Sequence, residues 1–218
     1  MHLANNRKSL LQAIATVFFP PICLECEEAL DEVGALLCAQ CTTLLTPLDA
    51  TYRCDRCFSE TCKCTLLSCG IKRSCFVFPH MGPAKRLVME LKKTGDAKLA
   101  RSIASWMLVQ IDKVGIPWPD LIVAPPRSFV KTLLQEPDRE YLLVETLGKL
   151  MGVPTKKLHH HPFQRIQRER SVSSLLLLSC EGQPKEWLEQ ATWCMHKAKI
   201  SYQALYLCTF TDPDLSHF

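Results

Sequence analysis

The pattern of apolar and polar positions divides the chain into three regions. In residues 1–20, the apolar side chains of Leu10, Ile14, Val17 and Phe18 recur at helical spacing, which predicts an amphipathic helix over Leu3–Phe18. Residues 21–75 show little helical periodicity. From residue 76 onward, short apolar runs alternate with helical patterns, and this alternation predicts a mostly parallel sheet covered by helices. We therefore expect an N-terminal helix (1–20), a small module (21–75) and an α/β domain (76–218).

Each element of the α/β domain is predicted from its own pattern. The strands are apolar runs, and the helices begin or end near proline, glycine or aspartate. The predicted strands are Ser74–Pro79, Leu121–Ala124, Leu175–Leu178 and Ala204–Phe210. The predicted helices are Gly82–Lys93, Asp96–Val114, Glu140–Met151 and Pro184–Lys197.

The apolar run near the N-terminus does not fit an export signal or a membrane span. Leu10–Phe19 follows Arg7 and Lys8, but Gln12 interrupts the run and no small-x-small cleavage site follows it. No stretch of the chain reaches the roughly 18 apolar residues of a membrane span. The sequence therefore predicts a cytosolic protein.

Cysteines dominate the chemistry of the module, because ten of the thirteen lie within residues 21–75. Eight of them form close pairs, which are poor disulfide partners but good metal ligands. These pairs are Cys23-x-x-Cys26, Cys38-x-x-Cys41, Cys54-x-x-Cys57 and Cys62-x-Cys64. Two pairs supply the four thiolates that Zn²⁺ favours, and a site without an open position is structural. Free cysteines buried in a core are the alternative, but they do not account for this spacing.

The spacing leaves the combination of the pairs open. Sequential combination gives one site from the first two pairs and a second site from the last two. A crossed arrangement, in which the first and third pairs share a metal, is also possible. Because Cys62 and Cys64 have one spacer residue, Cys69 or Cys75 could replace either of them. We expect the remaining cysteines to pack in the core: Cys180, Cys194 and Cys208.

The charge is unevenly distributed, with a formal net charge of +4. Residues 1–75 hold seven Lys and Arg against eight Asp and Glu, so the excess of cations lies in 76–218. Lys156–Arg170 holds five basic residues, three His, one Phe and one acid. Such a stretch could follow a phosphate backbone and stack on bases; the alternative is a solvated loop. The candidate nucleic-acid contacts are Lys156, Lys157, Phe163, Arg165, Arg168 and Arg170. The consecutive His159–His161 point apart and do not predict a metal site.

The order of these features resembles that of the ComF family. Phe19-Pro20-Pro21-x-Cys23-x-x-Cys26 precedes the other cysteine pairs, and Phe76–Asp96 (FVFPHMGPAKRLVMELKKTGD) is similar to a motif of that family. The matching positions are Gly82, Pro83, Leu91, Lys92, Gly95 and Asp96. Leu121–Pro125 also resembles the family's Val-Pro-Val-Pro strand end. The resemblance, weaker toward the C-terminus, implies a late-competence protein in which a double zinc ribbon precedes a phosphoribosyltransferase-fold domain.

The chain departs from that family where catalysis would occur. Phosphoribosyltransferases of this type carry two acidic residues for the ribose hydroxyls, then a Thr-Thr-Gly loop that cradles the 5′-phosphate at a helix N-terminus. Here Ser179-Cys180-Glu181-Gly182-Gln183 follows the strand, without the acidic pair or the threonines. Glu181 would repel a phosphate 4 Å away by roughly 1–4 kcal/mol. The family's Arg-Gly-Phe-Asn-Gln motif is also unmatched near Glu136–Glu140. The candidate phosphate contacts that remain are Lys92, Arg127 and Gly182. Alternatively, Lys92 is an exposed helix residue, Arg127 is a solvated loop charge and Gly182 forms a turn.

By resemblance, we expect a catalytically degenerate protein that assists the cytosolic handling of single-stranded DNA during DNA uptake, with no catalytic residue. Its partner would be the DNA itself or a DNA-uptake or recombination protein. Structural zinc is the expected cofactor, and Mg²⁺ would be needed only if phosphoribosyltransferase activity survives. Two other functions stay open: an active phosphoribosyltransferase for an unknown base, and a scaffold that binds another protein through its zinc module. Ser179–Gln183 argues against the enzyme, whereas Lys156–Arg170 separates the nucleic-acid function from the scaffold.

Overall fold

The computed structural model describes residues 21–30, 32, 34–62, 64, 70–126, 138–158, 172–181 and 185–212. The strands in these ranges are β1 (Ile71–Pro79), β2 (Leu121–Ala124), β3 (Thr155–Lys157), β4 (Ser174–Glu181) and β5 (Ala204–Asp212). The helices are α1 (Ala39–Thr43), α2 (Gly82–Thr94), α3 (Ala97–Val114), α4 (Arg139–Met151) and α5 (Lys185–Lys197). The helix predicted for residues 1–20 lies outside the described residues.

The five strands form one sheet in the order β1-β5-β4-β2-β3, and every neighbouring pair is parallel. From β2 the chain moves outward to β3 and then returns to the other side of β2 as β4. The strand order therefore reverses at β2, and in open parallel sheets ligands bind outside the carboxyl ends of the strands at such a point. The predicted α/β class with a parallel sheet is confirmed.

The sheet is covered on both faces, as its apolar strands predict. In β4, Leu176 and Leu178 are buried in the core cluster that includes α2, α3 and α4. Leu175 and Leu177 are buried in a second cluster with α5. Full burial of each such side chain contributes about 1.5–3 kcal/mol, so this uninterrupted leucine run fixes β4 at the centre of the molecule.

The turn between α2 and α3 follows directly from two residues. Gly95 ends α2 in the left-handed region with φ 67°, which glycine adopts without steric cost. The carboxylate of Asp96 then accepts hydrogen bonds from the backbone N–H groups of Lys98 (2.6 Å) and Leu99 (3.0 Å). Asp96 is thus the N-cap of α3, one residue before the helix begins.

The largest differences from the sequence predictions concern four elements. β1 begins three residues earlier than expected, and β4 continues three residues beyond Leu178. The predicted strand end at Leu178 is wrong because Ser179 and Glu181 stay paired with Thr209 and Thr211 of β5, so polar residues on both strands extend the ladder. The short β3 and α1 were not predicted. β3 consists of Thr-Lys-Lys and is a strand through its pairing with β2, not through an apolar pattern.

The cysteine-rich module packs along the outer edge of β1. The Leu48 N–H donates to the Val77 carbonyl (2.8 Å), and the Ser74 N–H donates to the Arg56 carbonyl (2.9 Å). Phe58 is 1% exposed and lies in the main core cluster. An uncovered edge strand presents unpaired backbone groups to other chains, and here the module takes up two of those groups.

Gln110 of α3 connects the module to the sheet. Its side chain is 2% exposed, and its amide nitrogen donates to the carbonyl of Leu48 (2.9 Å) and to that of Phe76 (3.0 Å). One buried side chain therefore bonds both the module and β1. A buried polar side chain that is hydrogen-bonded in this way fixes a specific arrangement of the groups around it.

Candidate metal centres and the carboxyl edge of the sheet

Two groups of four cysteines bring their sulfur atoms together, all within 4.8 Å of one another in each group. The first cluster is Cys23, Cys26, Cys38 and Cys41, and the second cluster is Cys54, Cys57, Cys62 and Cys64. The pairs thus combine sequentially and are not crossed. Cys75 does not replace a member of the second cluster, because it is buried in β1 beside Cys208 of β5. Cys69 lies outside the described residues.

The spacing of the sulfur atoms fits a tetrahedral metal ion. The Sγ atoms of Cys26 and Cys38 are 3.6 Å apart. In the second cluster, Cys54 Sγ lies 3.6 Å from Cys62 Sγ and 3.4 Å from Cys64 Sγ, and the last two are 3.2 Å apart. Zn–S bonds of 2.3 Å in a tetrahedron place the sulfurs about 3.8 Å apart. Since all eight cysteines are free thiols, either cluster could hold a metal ion such as zinc.

Local backbone structure aims the thiols of the first cluster. The turn after Cys23 is closed by hydrogen bonds from Glu27 N–H to the Cys23 carbonyl (3.0 Å) and from Cys23 N–H to the Glu28 carbonyl (2.8 Å). Cys38 is the N-cap of α1, and its Sγ accepts from the Cys41 N–H (3.4 Å). The Cys-x-x-Cys spacing thus matches the first turn of a helix, in which the cap and the third helical residue face each other.

Backbone N–H groups stabilise one thiolate in each cluster. Burial raises the pKa of Cys23, but N–H groups of Cys26, Cys38 and Glu25 outweigh burial and lower that pKa to about 6. N–H groups of Cys57 and Arg56 likewise lower the pKa of Cys54 to about 6.

Further negative charge in each cluster is disfavoured. Burial, followed by the neighbouring thiols, raises the pKa of Cys41 well above its ordinary value. The thiols of Cys62 and Cys54 raise the pKa of Cys64 to about 12. Four thiolates in so small a volume require a counter-charge, which a divalent cation supplies.

At the carboxyl edge of the sheet, an ion pair lies beside the point of strand reversal. The carboxylate of Glu181, the last residue of β4, is 2.7 Å from the ammonium of Lys92 in the last turn of α2. Burial lowers the pKa of Lys92, but the hydrogen bond that its ammonium donates to Glu181 and the charge of Glu140 outweigh burial and raise that pKa. The Ser179 hydroxyl donates to Glu140 Oε1 (3.3 Å). The candidate phosphate contact Lys92 therefore neutralises carboxylates of this chain.

The first turn of α4 supplies further charged groups at this edge. The Arg139 guanidinium donates to the Lys92 carbonyl (2.8 Å). Lys157 of β3 forms an ion pair with Asp138, and its ammonium lies 5.8 Å from the ring centre of Tyr141. Sequence reasoning did not identify Asp138 and Glu140 as members of this cluster. The feature of the sequence that could have identified them is their position at the start of the predicted helix that follows β2.

The other predicted site residues have different outcomes. Lys156 and Lys157 lie in β3, so the predicted basic stretch begins in a strand and not in a loop. The three leftover cysteines are buried as expected: Cys180, Cys194 and Cys208. The remaining candidates lie outside the described residues: Arg127, Gly182, His159–His161, Phe163, Arg165, Arg168 and Arg170.

Of the helices in the described ranges, none has both the length and the apolar character needed to cross a bilayer. No protein-family model and no curated protein matches the chain.

Proposed function

We propose that the chain binds two structural Zn²⁺ ions, one in each cysteine cluster. Four sulfur donors at tetrahedral spacing leave no position for a substrate or water, so the metal contributes folding free energy and not catalysis. Elemental analysis of freshly purified, reduced protein tests this proposal. We expect close to two zinc ions per chain, and protein without zinc would contradict it.

The α/β domain is a degenerate phosphoribosyltransferase fold of the ComF type. The observation that carries this proposal is the Lys92–Glu181 ion pair, with N–O 2.7 Å, at the carboxyl edge where the strand order reverses. A carboxylate at this position opposes a phosphate, and its partner cation is already neutralised. The preceding residue, Cys180, is fully buried, so it cannot replace a carboxylate that grips the ribose hydroxyls.

Calorimetric titration with phosphoribosyl pyrophosphate and Mg²⁺ tests the loss of activity. We expect no saturable binding at sub-millimolar concentration. The active-enzyme alternative predicts tight, Mg²⁺-dependent binding that Ser179→Ala or Glu181→Gln abolishes. Glu32→Gln, at an exposed position of the module, is the matched control and should leave any binding unchanged.

Handling of single-stranded DNA is the proposed role of the protein, supported by the family resemblance and by the composition of Lys156–Arg170. Each neutralised phosphate contributes roughly −0.7 to the slope of log affinity against log salt, so three to five contacts give about −2 to −3.5. Replacing Arg165, Arg168 and Arg170 by Ala should flatten the slope. Phe163→Ala should weaken binding without changing the slope, since stacking releases no counterions. An unchanged slope in the triple variant would remove this stretch from the interface.

A protein-binding scaffold is the second candidate, favoured by exposed apolar side chains on the module. Ile22, Leu44 and Tyr52 are 55%, 64% and 82% exposed. A photo-crosslinking amino acid at Tyr52 should then trap a protein in cells, whereas the same amino acid at the exposed Trp118 should not. Trapping at Tyr52 without any DNA binding would favour the scaffold.

A further inference from the structure

The two cysteine clusters have the same donor set, but the segments that hold them have opposite charge balances. Residues 21–50, which hold the first cluster, contain six acids and no Lys or Arg. Residues 51–75, which hold the second cluster, contain five Lys and Arg and two acids. A carboxylate oxygen of Glu28 also lies 3.6 Å from Cys26 Sγ in the first cluster. The segment that holds the first cluster is thus acidic, and the segment that holds the second cluster is basic.

The two clusters also differ in solvent access. The first cluster buries Cys23 and Cys41 in a small apolar group of its own. The second cluster buries Cys57 alone, so three of its sulfurs belong to half-exposed or exposed residues. These three residues, Cys54, Cys62 and Cys64, are in mutual contact at 3.2–3.6 Å. A reagent that attacks one of these sulfurs therefore finds a second sulfur adjacent to it.

We propose that the second cluster is an oxidation site for peroxides, at which two of Cys54, Cys62 and Cys64 form a disulfide and the metal ion leaves. The inference rests on the proposed zinc binding. One thiolate attacks a peroxide oxygen, the O–O bond breaks, and the departing oxygen takes a proton from solvent. The second thiolate then attacks the sulfenic acid, an S–S bond forms, and hydroxide leaves and is protonated. Two thiolates lose two electrons, and hydrogen peroxide becomes two water molecules.

Electrostatics and access together direct this reaction to the second cluster. Negative charge develops on the departing oxygen, so nearby cations stabilise the transition state and carboxylates oppose it. Reactive cysteines accordingly lie in electropositive, partly exposed surroundings. In the first cluster, the exposed Cys26 faces the Glu28 carboxylate, so the same attack is slower there.

Oxidation of the second cluster should act on the sheet through the turn that Cys54 begins. Within this turn, the Arg56 carbonyl accepts from both the N–H and the hydroxyl of Ser74 in β1, each at 2.9 Å. Phe58, directly after the turn, packs 6.0 Å from the Phe76 ring, centre to centre. Joining Cys54 to another sulfur shifts this turn, and the module then loosens from the edge of β1.

The test uses the full-length, zinc-loaded protein and hydrogen peroxide. A chromogenic chelator follows zinc release, and mass spectrometry after alkylation maps the disulfides. We expect the second cluster to lose its zinc ion together with two thiols and to form a disulfide among Cys54, Cys62 and Cys64. The first cluster should release its zinc ion at least tenfold more slowly. Simultaneous release, earlier oxidation of the first cluster, or retention of both ions would overturn the inference.

Two matched variants sharpen the test. Cys62→His keeps four metal ligands, since imidazole also binds zinc, but leaves one of the three contacting sulfur pairs. Release of zinc from the second cluster should therefore slow roughly threefold. Cys26→His makes the same change at the exposed position of the first cluster. This variant should leave the rate of zinc release from the second cluster unchanged. Fewer than two zinc ions before oxidation would instead contradict the proposed zinc binding, which separates the two failures.

Discussion

Replacement of Gln110 by Met removes the two hydrogen bonds that join the module to the sheet. Met has a similar length and no donor, so the carbonyls of Leu48 and Phe76 lose the amide that bonds them at 2.9 and 3.0 Å. A buried carbonyl left without its partner costs about 1–3 kcal/mol. Because the Phe76 contact is buried and the Leu48 contact is partly buried, we expect Gln110→Met to lower the free energy of unfolding by about 2–4 kcal/mol.

Calorimetry and urea unfolding at saturating zinc measure this loss. For a chain of this size, each kcal/mol lowers Tm by roughly 2–4 °C, so the expected decrease is about 4–16 °C. Limited proteolysis should also cleave the module of Gln110→Met faster than that of the wild type, because the hydrogen bond from residue 110 to the Leu48 carbonyl of the module is lost.

Gln40→Met is the matched control, because Gln40 is exposed in α1. The same chemical change there should alter the free energy of unfolding by no more than about 0.5 kcal/mol. If Gln110→Met were as stable as this control, Gln110 would not connect the module to β1 in the way described.

Three further substitutions test other parts of the structure. Cys23→Ser should lower the zinc content by one ion in elemental analysis and unfold the first cluster; loss of both ions would show that the clusters depend on each other. The backbone N–H groups of Ser174 and Ser173 lower the pKa of Asp120. The carboxylate therefore stabilises the fold fully above about pH 4, and this contribution is lost as the pH falls further. Asp120→Asn should therefore destabilise the fold to urea at pH 7 but not at pH 2. Gly148→Ala would normally stabilise a helix by up to about 1 kcal/mol, but a Cβ there would overlap the Thr155 side chain. We expect a loss of about 1–3 kcal/mol, and a higher Tm would contradict it.

The elements that the sequence predicts correctly are those determined by local patterns. The helix α3 has an aspartate cap at one end and a left-handed glycine, Gly115, at the other, and β2 is a four-residue apolar run with matching bounds. The spacing of the cysteine pairs indicates clustered thiols, although it leaves open which pairs combine. In each of these cases, the signal lies within the segment that it describes.

The features that were missed depend on partners distant in the sequence. β4 extends to Glu181 because β5 provides polar partners, and β3 is a strand because β2 lies beside it. Gln110 is indistinguishable in the sequence from a solvent-facing glutamine, and its role arises from carbonyls 34 and 62 residues away. Lys92 likewise acquires its ion pair from a residue 89 positions later. The sequential rather than crossed combination of the cysteine pairs likewise depends on the path of the whole module.

The pairing of β1 with β5 has a consequence for synthesis on the ribosome. Ile71 of β1 pairs with Leu205 of β5. The first strand of the sheet to be synthesised therefore cannot pair within the sheet until the last strand has been synthesised. Pairings this distant form slowly, and unpaired edges aggregate while they wait. The module is translated just before β1 and can cover the outer side of that strand as soon as it appears. A nascent chain released before residue 204 would still expose the inner side of β1, and we expect such truncated products to aggregate and not to accumulate as folded intermediates.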